Sequence, residues 1–198
     1  MFSNTIPLYL INGFLEGGKT SFIQDVLTNG DFADGQKTLL ILCEEGEVEY
    51  DQSELTNLNI LSLTVDEEKD FNGEYLRNCI RKYRPKRIFV EMNGMWDCKW
   101  MFDSALPREV EIAQVITIVD GSTFQVYVNN MKGILSNLFT YTEMVIFNRC
   151  TEDMPLHSFR RAVRGVNPRA MVYFEDEEGN PVDPGMEEPP YDLNADVI

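Results

Sequence analysis

Seven short runs of this chain are apolar almost from end to end: PLYLIN (7–12), KTLLILC (37–43), NILSLTV (59–65), RIFVEM (87–92), AQVITIVD (113–120), EMVIFN (143–148) and AMVYFE (170–175). A strand with one wet face alternates polar and apolar residues, whereas a strand apolar throughout is covered on both faces. Several of these runs are separated by segments with helical spacing. Lys19 to Thr28 carries Phe22, Ile23, Val26 and Leu27 on one face and stops at Asn29-Gly30. Residues 73–83 carry Leu76, Cys79, Ile80 and Tyr83, ending at Arg84-Pro85. Phe124, Tyr127, Val128, Met131, Ile134, Leu135 and Leu138 mark one long helix, and Leu156, Phe159, Val163 and Val166 another. The expectation is an α/β fold: a mostly parallel sheet of about seven strands with helices on both faces.

With 198 residues the chain suits one ordinary domain. We place that domain at residues 1–175. From Asp176 the sequence turns acidic and Pro-rich, so residues 176–198 read as a tail or a linker to a downstream domain. No apolar run reaches the roughly 18–20 residues that span a bilayer, and no signal peptide is evident. The four cysteines (Cys43, Cys79, Cys98, Cys150) are scattered without a C-x-x-C pair, as expected of reduced thiols in a cytoplasmic protein. The net charge of −16 argues against nucleic acid and against an anionic membrane surface as partners. It is explained by solubility, or by a cationic partner such as a metal or a basic protein face.

The first apolar run leads into Gly13-Phe14-Leu15-Glu16-Gly17-Gly18-Lys19-Thr20, which fits G-x-x-x-x-G-K-[ST] at every fixed position. Such a loop wraps a phosphate in backbone N–H groups, and the helix that follows aims its positive end at the same anion. The expected cradle is Gly13, the backbone from Glu16 through Gly17 and Gly18 to Ser21, and the side chains of Lys19 on phosphate and Thr20 on Mg²⁺. Glu16 is an acid inside that loop. It points outward, or across a dimer interface to a cation.

Five segments carry a family resemblance. INGFLEGGKTSFIQDVL resembles the opening of the CobW/HypB/UreG GTPases, and CEEGEVEYD (43–51) resembles their first switch, with Glu45 and Gly46 near its pattern and Asp51 at its terminal aspartate. VEMNGMWD (90–97) is similar to their E-x-x-G segment through Glu91 and Gly94, and TIVDGSTF (117–124) to their V-D strand end through Asp120. VIFNRC (145–150) resembles the N-K-x-D strand that reads guanine, with Asn148 and Arg149 in its first positions. The resemblance, covering roughly residues 6–175, implies a SIMIBI-class P-loop NTPase that acts in metal insertion or cofactor assembly. It implies Asn148 and Arg149 at the nucleotide base.

Three features depart from the family. Its C-x-C-C metal motif has no counterpart, because residues 52–70 hold no cysteine. The aspartate that pairs with guanine is replaced by Thr151, whose hydroxyl cannot accept two hydrogen bonds side by side as a carboxylate does. The C-terminal domain usual in CobW-like members is not among these 198 residues, which end as if at the start of something further.

Glu91 closes an apolar strand, where P-loop enzymes place an acid that holds Mg²⁺; the bland alternative is a solvated strand end. Asp51 could orient the attacking water or contact Mg²⁺, or do neither. Asp120 is a functional acid or, more simply, a helix cap. The run Glu44, Glu45, Glu47, Glu49 and Asp51 reads as a solvated loop or as a γ-phosphate-sensitive switch, with room for an all-oxygen site for a hard divalent ion. His157, the one histidine, reads as a surface or capping residue, and Trp96 and Trp100 as core or as a contact face. Together these point to an NTPase with Lys19, Asp51 and Glu91 in catalysis and Thr20, Glu91 and Asp51 on the metal. It would bind Mg²⁺ with GTP or ATP, hydrolyse slowly, and work with a homodimer or protein partner that supplies any arginine finger. The alternative is a catalytically silent nucleotide-binding interaction module. A small-molecule kinase fits less well, since no long basic lid segment is present.

Overall fold

The computed structural model describes residues 5–30, 32–44, 50–103 and 106–182. All seven apolar runs form strands: β1 (Ile6–Asn12), β2 (Thr38–Leu42), β3 (Ile60–Thr64), β4 (Arg87–Glu91), β5 (Val110–Asp120), β6 (Met144–Asn148) and β7 (Met171–Phe174). They make one sheet in the order β3-β2-β4-β1-β5-β6-β7, parallel at every pairing. β1 lies at the centre between β4 and β5, so the loop that leaves it emerges at the middle of the sheet's C-terminal edge.

The continuous apolar character follows from burial on both faces. Leu8, Leu10, Ile88 and Val90 point to one side, where Leu76 and Cys79 of α3 (Gly73–Tyr83) and Met101 of α4 (Lys99–Phe102) cover them. Ile11, Phe89, Ile116, Ile118 and Ile146 point to the other, beneath Ile23 and Leu27 of α1 (Lys19–Thr28) and Leu55 of α2 (Gln52–Asn57). Val145, Phe147, Val172 and Phe174 meet Phe124 of α5 (Gly121–Asn130), Leu135 and Phe139 of α6 (Lys132–Thr140), and Phe159 and Val163 of α7 (Leu156–Val166).

The one long helix expected across Phe124 to Leu138 is two helices, α5 and α6, broken at Met131 (φ −132°, ψ 39°). The break follows Asn129-Asn130, and the Asn130 amide donates to the Val126 carbonyl at 2.8 Å. Asparagine side chains compete for backbone in this way, while the apolar spacing passes through the break unchanged. The short α2 and α4 bury one side chain each, too few to show a period. β5 begins at Val110, three residues earlier than its apolar run, with a register irregularity against β1 between Leu8 and Tyr9. Beyond Phe174 the chain turns back: Glu175 bridges Pro181, the Val182 amide donates to the Phe174 carbonyl at 3.0 Å, and Val182 packs on the third apolar cluster. The boundary expected at residue 175 falls at the start of this turn. Among the described residues no helix is long and apolar enough to cross a membrane.

Candidate functional site

The C-terminal ends of β1, β4, β5 and β6 converge on the loop between Asn12 and Lys19. Gly18 caps α1 in the left-handed region (φ 98°), and a Cβ there would lie 2.4 Å from the Asn148 amide nitrogen. The loop therefore needs glycine twice over, for backbone conformation and for space. Gly94 has the second requirement: a Cβ on it would lie 2.2 Å from the Gly13 carbonyl, so the segment after β4 is pressed against the loop.

Lys19 folds back into this loop and is only 3% exposed. Its Nζ donates to the carbonyls of Gly13 (3.1 Å) and Phe14 (2.8 Å) and to the Glu44 carboxylate (2.5 Å). All three ammonium protons are thus satisfied. Glu44 stands two residues past the end of β2, within the acidic run. Its signal lay in position, because β2 pairs with β4 and the Cys43 amide donates to the Glu91 carbonyl.

Glu91 is 4% exposed. Its carboxylate accepts from the Thr20 hydroxyl at 2.6 Å and from the Tyr50 hydroxyl at 2.7 Å. Burial, then the charge and hydrogen bond of Glu91, push the Tyr50 phenol far above its ordinary range, so it remains a donor. Tyr50 was not anticipated. It sits beside Asp51, and of the two it is the aromatic residue that reaches the site.

Asp51 does not. Its carboxylate caps α2, accepting from the Ser53 amide (2.8 Å), the Ser53 hydroxyl (2.6 Å) and the Glu54 amide (3.2 Å). These bonds hold its carboxyl below the usual range, and it does not line the cavity over the loop.

That cavity, of about 290 Å³, is lined by Gly18, Lys19, Thr20, Ser21, Glu44 and Glu91, with Glu16, Asp120 and Arg149 at its rim. Glu16 stands at φ 59° with its side chain exposed. Gly13 and Gly17 contribute carbonyls, the first to Lys19 and the second to the Asn148 amide at 2.9 Å. Arg149 donates to the Glu16 carbonyl (3.2 Å) and to Asp120 (2.6 Å). Asp120 also caps α5 through the Ser122 amide at 2.8 Å. Burial opposes its charge, but the bonds from Ser122 and Arg149 outweigh it and hold the carboxyl below the usual range.

A second cavity, of about 440 Å³, adjoins the first and shares Gly18, Ser21 and Arg149 with it. It runs between α1 and the turn after β7, and Asn148 lines it. The Thr151 hydroxyl bonds Asp153 at 2.5 Å, and Thr151 does not line this space.

Residues 45–49, bearing most of the switch-like run, lie outside the described residues. Among the described residues, no three His, Cys, Asp or Glu side chains gather to hold a metal ion. His157 is exposed on α7, and Trp100 packs edge-on against Phe71 at 5.4 Å within the first apolar cluster.

Comparison with known proteins agrees with this geometry. The zinc chaperone CobW of Sinorhizobium sp. is 30% identical over 59% of this chain, which spans 37% of that protein's length. The Zn(II)-bound YjiA GTPase of E. coli superposes with a TM-score of 0.63 at 22% identity, over 85% of this chain and 57% of that one. The hydrogenase maturation factor HypB of Archaeoglobus fulgidus gives a TM-score of 0.60 at 11% identity, over 91% and 86% of the two chains. Residues 7–174 match the family described as CobW/HypB/UreG, nucleotide-binding domain, and the chain belongs to that family.

Proposed function

We propose that this chain binds a guanine nucleotide with Mg²⁺ over the Gly13–Thr20 loop and hydrolyses it slowly, as a switch in metal or cofactor homeostasis. The observation that carries the reading is the buried Lys19, whose ammonium is held among loop carbonyls at the mouth of a cavity bounded by Thr20 and Glu91. Lys19 would meet the β- and γ-phosphates, and the N-terminal end of α1 would add its dipole.

The oxygen donors Thr20 and Glu91, already joined by a hydrogen bond, fit a hard divalent cation. Bound there, Mg²⁺ would neutralise charge on the phosphate oxygens. Tyr50 would keep the Glu91 carboxylate oriented. Arg149, engaged by Asp120 and the Glu16 carbonyl, is not offered to a γ-phosphate, which accords with slow turnover. Leu15 (52% exposed) on the loop and Met95 (65% exposed) on the segment after β4 support a protein partner on this face, a second copy included. The four buried free cysteines accord with a cytoplasmic protein. The metal-handling context rests on relatives named for zinc chaperoning and hydrogenase maturation.

One observation favours the second reading, a catalytically silent nucleotide-binding module. Asp51, the acid expected to orient water, is spent on the cap of α2. Titration with fluorescent GTP and ATP analogues, with and without Mg²⁺, tests binding, and Lys19→Ala should abolish it. Phosphate release under single-turnover conditions then separates switch from module. Nucleotide affinity unchanged in Lys19→Ala overturns both.

A further inference from the structure

We propose that the cavity between α1 and the turn after β7 is the base pocket, and that Glu177 and Glu178 on that turn read the donor edge of guanine in place of residue 151. The inference rests on the nucleotide reading above. The two cavities share Gly18, Ser21 and Arg149 in their linings, which sets the second space directly beside the one over Lys19. Its walls offer Phe22 and Ile118 as apolar surface and Asn148, Glu177 and Glu178 as polar groups.

The polar groups are almost all acceptors. The Asn148 amide nitrogen is committed to the Gly17 carbonyl, while its Oδ1 is buried and has no hydrogen-bond partner among the described residues. The other acids on the wall are engaged. Asp176 accepts from the Glu178 and Asn180 amides and from the Asn180 side chain, and Asp25 accepts from the Asn29 side chain. The exposed carboxylates of Glu177 and Glu178 have no hydrogen-bond or ion-pair partner among the described residues. Guanine presents two adjacent donors, N1–H and the 2-amino group, which one carboxylate accepts together; adenine presents a single amino group on that edge. Thr151 can supply no such pair, and its hydroxyl is turned to Asp153.

The test is calorimetric titration of the full chain with GDP, IDP and ADP, for the parent protein and for Glu177→Gln/Glu178→Gln, with Thr151→Ala as control. The parent should bind GDP more tightly than IDP, which lacks the 2-amino group, and ADP least. The double variant should weaken GDP by about tenfold to a hundredfold and reduce the GDP-to-IDP ratio, with its melting temperature and ADP affinity unchanged. Thr151→Ala should leave the ratio as it was. A ratio unmoved by the double variant, or ADP bound as tightly as GDP by the parent, overturns the base reading while nucleotide binding stands. No binding of any of the three overturns both.

Discussion

The Nζ of Lys19 lies 2.5 Å from the Glu44 carboxylate, so the cation of the phosphate loop is neutralised by an acid of the same chain. Both side chains are nearly inaccessible, at 2% and 10% exposure. A phosphate arriving over the loop has to take the place of Glu44. Glu44→Gln should therefore bind nucleotide more tightly, by about fivefold to tenfold, the order of one ordinary hydrogen bond. Titration of parent and variant with the same analogue checks this, and a weaker-binding variant would mean that Glu44 assists the ligand.

Tyr50→Phe removes the donor from one oxygen of a carboxylate that is 4% exposed. A buried acceptor left without its partner costs about 1–3 kcal/mol. Urea unfolding should show a loss of that order with little change in the m-value, and a smaller loss should follow from Ser53→Ala at the exposed cap of α2.

Gly18→Ala places a methyl group 2.4 Å from the Asn148 amide nitrogen at φ 98°. Left-handed strain alone costs about 1–3 kcal/mol, and the clash adds to it. The variant should lose nucleotide binding and melt at a lower temperature. Gly35→Ala supplies the comparison: its φ of 73° is also positive, but nothing lies within 4 Å of the new Cβ. It should show the strain without the loss of binding.

Asp120 offers a pH test. Its folded carboxyl titrates below the unfolded value, so the unfolded chain takes up the proton first as pH falls. The stability that Asp120 contributes is present above about pH 4, the unfolded value, and is lost as pH drops from there through the lower folded value. Asp120→Asn should accordingly be less stable near neutrality and show a shallower decline on acidification. An acid limb as steep as the parent's would assign the pH dependence to other carboxyls.

Strands were legible because burial on both faces leaves uninterrupted apolar runs, as in Leu39, Leu40 and Ile41, and the loop was legible because Gly18 admits no substitute. What sequence could not convey were relations across the sheet. Glu44 and Glu91 lie 47 residues apart by their numbering, yet Glu44 stands just past β2 and Glu91 closes the neighbouring β4, where Leu42 pairs with Glu91. Asp51 looked functional by its place in a pattern, while Ser53 and Glu54 two and three residues on gave it a local occupation as a cap. The break at Met131 was concealed because α5 and α6 stay on one apolar cluster, so the periodicity never lapses.

Asn148 and Arg149, consecutive at the end of β6, each fasten the phosphate loop by a different carbonyl, Gly17 and Glu16. They act as a brace whose strength does not depend on which base, if any, lies beside them. Fastening the loop and reading the base are then separate devices in this chain, the clamp at residues 148–149 and, on the inference above, the reader on the turn that carries Glu177 and Glu178. The reader can change without loosening the grip on phosphate. In such a chain, tight nucleotide binding carries no information about which nucleotide the cell supplies.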